Sequence, residues 1–432
     1  MNDGRRGALA DRWDADKWDI PRVARKAMVC AALAPAIAAA FLAIITVAAS
    51  LPDAPITANI LERKEVLLSR RADNGRVIDA DTECIALSVG MADAQRDGAL
   101  RQAVRARSAY GCAPFMNWLE TGAAYEPRDY FRYWHGHLAL TRPLLSILPY
   151  NDIRGILFTA SLALFGWFLW RLGVDFGARA SLAFALPFLV LNALGYWVVA
   201  SKAVTWFLAI GASIFLSRRG GLGVPHIAYF LIGALTAFFD FLTAPALIFC
   251  LPTIVWLMYA RAEQGFEQSP FAKWRNVFWM GCFFVAGYAG LWAAKLAIAA
   301  VLLETPVWAD AIGRAGMRLR GESDLVDAYW PGLALYKNIA ALKSLWAPVA
   351  IGLFFVAPFA TASGRAAAGR LLSGARLPLA VAIAPLVFME ILSNHSQIHA
   401  AFTHLNFAPL FIVCGLILLG ESDALIAGEA QT

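Results

Sequence analysis

Runs of about twenty apolar residues recur along most of this chain, and they constrain its fold more than any other feature of the sequence. The first run covers residues 27–50, and further runs lie between residues 155 and 420. A run of this length crosses the apolar core of a bilayer, about 30 Å thick, as one α-helix. Only 16% of the residues are charged, too few to cover the surface of a soluble multidomain protein. The sequence therefore predicts an all-α, polytopic membrane protein with about ten transmembrane helices.

The predicted spans are joined by short connections, except after the first and the seventh. Their bounds are 27–50, 155–171, 180–200, 203–217, 225–239, 241–260, 277–300, 345–362, 377–393 and 404–420. Span 203–217 is short, and a re-entrant segment is the alternative there. The apolar stretch 225–260 is interrupted only at Asp240 and is too long for one helix, so we predict a helical hairpin with Asp240 at its tip.

Basic residues set the predicted orientation. Apart from Lys202, those of the short connections fall on the same side as the N-terminal segment 1–26: Arg171, Arg179, Arg218, Arg219, Arg261, Lys273, Arg275, Arg365, Arg370 and Arg376. This side is cytoplasmic by the positive-inside rule. Segment 1–26 and tail 421–432 are then cytoplasmic, and loops 51–154 and 302–344 are extracytoplasmic, in a protein of the inner (plasma) membrane. A cleaved signal peptide is the competing interpretation of run 27–50, but this run is too long for an h-region.

The net charge of +6 does not indicate nucleic-acid binding, because the basic residues are scattered singly between apolar runs. Loop 51–154 is predicted to form a small helical domain, with a helix from Glu83 to about Ser108. Segment 130–150 mixes aromatic, basic and aliphatic residues and is predicted to be a helix at the outer membrane interface. Cys84 and Cys112 lie in this loop, where a disulfide and two free thiols are both open interpretations.

The densest acidic group of the loop is Asp79, Asp81 and Glu83. A carboxylate here could act as a general base toward an acceptor hydroxyl, or could bind a divalent cation at Asp79 and Asp81. The alternative is an N-terminal signal of the following helix. The sequence itself requires no cofactor, and no CxxC or CxxH spacing indicates a structural metal site.

Three further groups carry polar side chains on the predicted outer face. Arg132, Tyr133, Trp134, His135, His137 and Arg142 lie in the first loop, Asp240 lies in the hairpin, and Asn394, His395 and His399 lie between the last two spans. Arginine suits phosphate, histidine adds a donor, and aromatic faces support sugar rings. The alternatives are an aromatic belt with snorkelling arginine, a solvated turn and a hydrogen-bonded loop. Loop 302–344 carries mixed charges and is predicted to be a solvated loop, with a flexible, partly ordered loop over a site as the alternative.

The motifs VIDADTECIAL, YFRYWHGHLALTRPLL, FFDFLTAP and NHSQIHAAFTH, together with the topology, resemble polytopic glycosyltransferases of the GT-C fold class, and most closely a bacterial multi-span subgroup. The expected first motif of that subgroup is LDN-x-TD. Asp79 and Glu83 match its acidic positions, while Ala80 replaces its asparagine. The resemblance implies transfer of a sugar from a polyprenyl-phosphate donor to a glycan, lipid or protein acceptor, within a membrane.

The resemblance also implies roles for the candidate residues. Asp79, or Glu83 in its place, would be the general base, and Arg132, His135 or Arg142 would hold the phosphate. Asp240 and His395 would line the sugar pocket or orient the base. A transporter or flippase of lipid-linked saccharides is the main alternative, and it predicts ionisable groups at mid-span, of which Lys295 is one. An acyl or phosphoethanolamine transferase would need a nucleophile or metal cluster, and the sequence shows neither.

Overall fold

The chain is built from helices in the computed structural model, and the described residues contain no β-strand, only a bridge between Ser108 and Arg128. The described residues are 20–62, 64–68, 80–89, 91, 98–109, 111–122, 127–217, 225–264, 270–320, 326–342, 360–362, 364–366, 369 and 376–419. Residues 1–19 of the predicted N-terminal segment, the predicted tail 421–432 and most of the predicted span 345–362 lie outside them.

The helices fall into a first loop region and a bundle. Helices α1 to α7 are Ile20–Ala49, Asp53–Leu61, Lys64–Leu68, Ala80–Ser88, Ala99–Arg105, Cys112–Thr121 and Leu138–Leu145. Helices α8 to α13 are Tyr150–Phe176, Ala178–Val190, Ala200–Ser217, His226–Phe239, Pro245–Gln264 and Pro270–Leu302. Helices α14 to α19 are Val307–Leu319, Leu333–Ala341, Arg376–Ile391, Ser393–Ile398, Ala400–Thr403 and Ala408–Leu418.

Five helical segments are long and apolar enough to cross a membrane. They are α1, α8, α10, Trp274–Leu302 of α13, and Ala400–Leu418, which joins α18 to α19. Helices α9, α11 and the Pro245–Ala260 part of α12 are apolar but shorter. The chain is therefore a multi-pass membrane protein by the length and composition of its helices. The predicted span 180–200 is too long as a single helix, because α9 ends at Val190 and Asn192 adopts a left-handed conformation, with φ 55°.

The apolar helices differ in how much protein surrounds them. In α10 and in Ala400–Leu418, about three quarters of the apolar window is buried, whereas less than a third is buried in α1 and in α13. Large apolar side chains such as Val47, Phe278 and Val301 are exposed on these outer helices. Lipid is the solvent that such faces require, since an exposed apolar patch of this size is unfavourable in water.

Two glycines allow the backbones of α11 and α13 to pack closely against each other. A Cβ on Gly233 would lie 2.0 Å from the Phe284 carbonyl oxygen, and a Cβ on Gly287 would lie 2.1 Å from the Phe230 carbonyl oxygen. Small residues allow two backbones to meet in this way within a membrane. This contact fixes the middle of α11, about two turns before Asp240, against the α13 surface.

The first loop is helical but is divided differently from the prediction. The continuous helix predicted from Glu83 to about Ser108 is wrong, because α4 ends at Ser88 and α5 begins after Gly98. Glycine favours such ends because it loses more backbone entropy in a helix than other residues do. Cys84 and Cys112 form a disulfide that joins α4 to α6, with 5.0 Å between their Cα atoms.

The interfacial helix predicted over 130–150 is also wrong in its first half. Within segment 130–150, the only helix before α8 is Leu138–Leu145. The residues from 130 to 137 follow an irregular path in which Phe131, Tyr133 and Trp134 are buried. His135 has a φ of 59°, which a continuous helix does not allow. Tertiary contacts with α11 and α13 outweigh the local helical preference of this segment.

Candidate functional site

Four separate stretches of chain meet in one group of polar and aromatic side chains. We call it the polar cluster, and it comprises Tyr130, Tyr133, His135, His137, Asp240, Phe241, Arg318 and His395. The Phe241 ring lies at its centre, with ring centroids 4.9 Å from His135, 4.8 Å from His137 and 5.7 Å from Tyr133. The loop before α7, the α11–α12 connection, the end of α14 and the start of α17 therefore supply one candidate site.

Gly136 allows the first stretch to reach the cluster. Its amide donates a 2.8 Å hydrogen bond to the Phe238 carbonyl, and a Cβ at this position would lie 2.4 Å from the Phe238 ring. The neighbouring Trp134 is fully buried, and its indole N–H donates to the Leu291 carbonyl of α13 at 2.8 Å. Its ring also packs edge-on against Phe41 of α1. Trp134 therefore anchors the segment, and its ring is not available to stack on a sugar as the sequence suggested.

His135 and His137 are buried neutral side chains. Nε2 of His135 lies 2.8 Å from the Tyr130 carbonyl, and Nε2 of His137 lies 3.0 Å from the Ala86 carbonyl of α4. A carbonyl only accepts, so the proton is on Nε2 in both rings. Burial lowers the pKa of His137 to about 4 and that of His135 well below its usual range. The Nδ1 atoms of both rings have no hydrogen-bond partner among the described residues. They are therefore hydrogen-bond acceptors and not cationic phosphate ligands.

Asp240 follows the last residue of α11 and is 1% exposed. Its Oδ1 accepts a hydrogen bond from the Thr205 hydroxyl of α10 at 2.9 Å, and from the Ala244 amide at 3.4 Å. Its Oδ2 has no hydrogen-bond partner among the described residues. Burial raises the pKa of Asp240 to about 6, against the opposing effect of the Thr205 hydrogen bond. A half-satisfied buried carboxyl group with such a pKa can exchange a proton near neutral pH.

Arg318, at the end of α14, belongs to the cluster although the sequence gave it no role. Its guanidinium donates to Nδ1 of His395 at 2.9 Å and lies 5.7 Å from the centre of the Tyr133 ring. The two preceding residues are also in contact, since the Asn394 side-chain amide donates to the Met317 carbonyl at 2.8 Å. Consecutive residues of α17 thus hold consecutive residues of α14, which brings this arginine over the tyrosines.

His395 is also a neutral ring fixed by hydrogen bonds. Its Nδ1 accepts from Arg318, so the proton is on Nε2, which donates to the Leu242 carbonyl at 2.9 Å. Burial lowers its pKa well below the usual range. His399 packs against the His395 ring, with 4.7 Å between the centroids, and stacks on Phe402. These two histidines form one packed unit with the Arg318 contact at its edge.

Two arginines of the sequence hypothesis are engaged elsewhere. Arg142 is buried, and its guanidinium donates to the Ala48 and Leu51 carbonyls and pairs with Asp53 at 2.6 Å. It joins α7 to the end of α1, which leaves it no role in holding a donor phosphate in this conformation. Arg132 lies next to the cluster, over the Tyr130 ring, but its guanidinium pairs with Asp310 of α14 at 2.5 Å.

The acidic group of the first loop does not form a joint site with the cluster among the described residues. Asp79 lies outside them. Asp81 is exposed, and its Oδ1 accepts from the Cys112 amide at 3.1 Å, at the start of α6. Glu83 is buried and accepts hydrogen bonds from the Tyr150 hydroxyl, the Ala200 amide and the Ser201 hydroxyl. These contacts give Glu83 the role of fixing α4 to the starts of α8 and α10, not that of a free base.

Sequence reasoning gave Arg318 no role and counted Tyr130 only as an aromatic neighbour of the Arg132–His137 segment. One signal was present for Arg318, because Asp310, Arg314 and Arg318 recur every four residues and so line one face of α14. The mixed charges around them indicated a solvated loop instead.

Within the described part of the chain, no group of three or more His, Cys, Asp or Glu side chains is placed to hold a metal ion. Comparisons of the chain with models of protein families, with curated proteins and with solved structures give no match.

Proposed function

We propose that this protein is a membrane glycosyltransferase that moves a sugar from a polyprenyl-phosphate donor to a glycan, lipid or protein acceptor. The observation that carries the proposal is the convergence of the loop before α7, Asp240 and His395 of α17 into one polar cluster. These are three of the motifs on which the resemblance to GT-C enzymes rests. Chain segments that are distant in sequence and polar in an apolar protein converge where a substrate is bound.

The chemical groups of the cluster suit a sugar phosphate. Asp240 Oδ2 and Nδ1 of His135 and His137 are acceptors with no described partner, which sugar hydroxyls can fill as donors. Tyr130 is partly exposed and adds an aromatic face at the edge of the cluster. In the reaction, the acceptor oxygen attacks the anomeric carbon as its proton passes to a carboxylate. The bond from that carbon to the phosphate oxygen breaks with the electron pair leaving on the phosphate, which inverts the configuration.

Asp79 remains our proposed general base on the sequence resemblance. Glu83 is withdrawn from that role because its carboxylate is buried and accepts three hydrogen bonds. Asp240 provides a second carboxyl group of suitable pKa, beside the acceptor atoms of the cluster. We place its side chain in contact with the sugar.

An apolar groove suits the lipid tail of the donor. It has a volume of about 400 Å³, lies between the end of α1 and α7, and is lined by Ala43, Ile44, Val47, Ala48, Leu51, Ala139, Pro143 and Ser146. Val47 and Ile44 are exposed, so the groove is continuous with the lipid-facing surface of α1. Helix α7 begins directly after His137, which connects the groove to the cluster through the backbone.

The proposed topology has ten spans in the plasma membrane, with both termini cytoplasmic and the polar cluster at the extracytoplasmic face. Basic residues in the short loops support this orientation. The disulfide between Cys84 and Cys112 supports it as well, because disulfides persist outside the reducing cytoplasm.

The test is a transfer assay with the purified protein in lipid nanodiscs and a panel of polyprenyl-phosphate sugars. We expect one donor to give a product with inverted anomeric configuration, and we expect Asp79→Asn to abolish transfer while the protein stays monodisperse. Full activity in Asp79→Asn would remove Asp79 from the mechanism. Donor turnover by none of the panel would reject the glycosyltransferase assignment.

Transport of a lipid-linked saccharide is the second candidate, because two lysines are buried in the apolar helices. Lys295 of α13 donates to the Ala103 and Val104 carbonyls of α5, and Lys202 of α10 lies 4.0 Å from the centre of the Phe402 ring. Buried ionisable groups at membrane depth are typical of transport pathways. A flippase would move a labelled lipid-linked saccharide across proteoliposomes without forming a new glycosidic bond, which the transfer assay detects directly.

A further inference from the structure

The polar cluster contains a guanidinium that no carboxylate among the described residues neutralises. Arg318 donates to the neutral His395 ring, lies over the Tyr133 ring and is within hydrogen-bonding reach of the Tyr130 hydroxyl. The buried His395 ring is neutral, and burial raises the pKa of Tyr133 to about 12, so neither of these groups supplies a negative charge at neutral pH. A guanidinium has five N–H groups, so most of its donors remain for a ligand.

The other arginines near the cluster are already paired. Arg132 shares Asp310 with Arg314, at 2.5 Å and 3.7 Å respectively. Arg314 precedes Arg318 by one helical turn, and half of its side chain is exposed. Asp310 therefore supplies one negative charge to Arg132 and Arg314, whereas Arg318 has no carboxylate partner among the described residues.

The position of Arg318 also suits a ligand that arrives from outside. Its side chain is partly exposed, whereas Asp240, His135 and His137 of the same cluster are buried. The aromatic rings around it lower the local dielectric, which strengthens a charge-assisted hydrogen bond to an anion. Its orientation is fixed by His395, so a planar, bidentate contact costs little side-chain entropy.

We infer that Arg318 is the residue that binds the phosphate group of the ligand, in the place that the sequence gave to Arg132, His135 and Arg142. The ligand chemistry is that of a prenyl phosphate, which is a diester in the sugar donor and a monoester in the spent carrier. In the donor, the sugar lies toward Asp240 and the histidines. This inference uses the proposed function only to name the carrier of the phosphate, which is a prenyl chain.

The experiment measures binding by isothermal titration calorimetry of the full-length protein in detergent. The titrants are farnesyl phosphate, farnesol and inorganic phosphate, and the variants are Arg318→Met, Arg318→Lys and the matched control Arg314→Met. We expect farnesyl phosphate to bind the wild type and Arg314→Met within about twofold of one another. We expect Arg318→Met to weaken binding by about 10- to 100-fold, the usual effect of hydrogen bonds to a charged group. Arg318→Lys should be intermediate, because it keeps the charge and loses the planar fork.

The two ligand sources are separated by the other titrants. The wild type should bind farnesol more weakly than farnesyl phosphate. Arg318→Met should bind the two ligands with equal affinity. Competition by inorganic phosphate would show that the phosphate alone suffices for binding. No competition would show that the prenyl chain contributes. Both results place the phosphate at Arg318, provided that Arg318→Met binds farnesyl phosphate more weakly than the wild type does.

Unchanged binding of farnesyl phosphate to a folded Arg318→Met, or an equal loss in Arg314→Met, would overturn the inference, as would a wild type that binds none of the titrants. If Arg318→Met does not fold, wild-type affinity in Arg318→Lys would overturn it too. Binding through Arg318 without sugar transfer would reject the proposed function and leave this inference standing.

Discussion

The glycine contact between α11 and α13 allows a sharp test of how the bundle positions the site. Replacing Gly287 by alanine would place a Cβ 2.1 Å from the Phe230 carbonyl oxygen. Real Cβ contacts are essentially never shorter than 3.0 Å, so the two helices would have to separate by about 1 Å. A Cβ has a position fixed by its own backbone, and the carbonyl oxygen is a backbone atom, so no side-chain rotation can relieve the clash.

The size of the effect follows from two opposing terms. Overpacking of a close contact costs about 1–3 kcal/mol, whereas alanine is favoured over glycine inside a helix by about 1 kcal/mol. We expect Gly287→Ala to lower the thermal unfolding midpoint. The matched control is Gly290→Ala in the same helix, where a Cβ would meet nothing within 4 Å. That variant should keep or raise the midpoint, because only the favourable helix term remains.

The assay is thermal unfolding of the purified protein in one detergent, followed by tryptophan fluorescence, together with the affinity for farnesyl phosphate. Separation of α11 from α13 should also displace the α11–α12 connection, whose Leu242 carbonyl orients His395 and through it Arg318. Gly287→Ala should therefore weaken binding while Gly290→Ala should not. Equal midpoints for the two variants would refute the proposed close packing of these helices.

Three other changes have expected outcomes that stability measurements can check. Because burial raises the pKa of Asp240 to about 6, above about 4 in an unfolded chain, the folded state binds the extra proton and wild-type stability falls as pH rises from about 4 to about 6. Asp240→Asn removes this loss, so its free energy of unfolding should exceed that of the wild type by about 3 kcal/mol at pH 7.5. The thermal midpoints of the two proteins should converge toward pH 4. Midpoints that differ by the same amount at every pH would contradict this. Cys84→Ser with Cys112→Ser should cost about 2–4 kcal/mol, seen as a lower midpoint that a reducing agent no longer changes. Arg142→Met should reduce the yield of folded protein, because Asp53 is left without its cation, and the double variant with Asp53→Asn should recover part of the yield; no recovery would argue against this pair as the cause.

The sequence by itself determined the class of the protein. Runs of apolar residues specify membrane-crossing helices through composition alone, since lipid leaves each backbone no partner except its own helix. The same local reasoning located the polar motifs at the ends of these helices, and it identified Asp240 and His395 as unusual in their surroundings.

Only the tertiary structure decided which of these residues share a site. Arg142 and Arg318 are equivalent as letters of a sequence, but one is paired with Asp53 and the other has no carboxylate partner among the described residues. Trp134 is buried in the core and segment 130–137 is not helical, because contacts with α11 and α13 outweigh the local preference for a helix. Pairing and burial depend on residues that are distant along the chain, and local patterns contain no record of those partners.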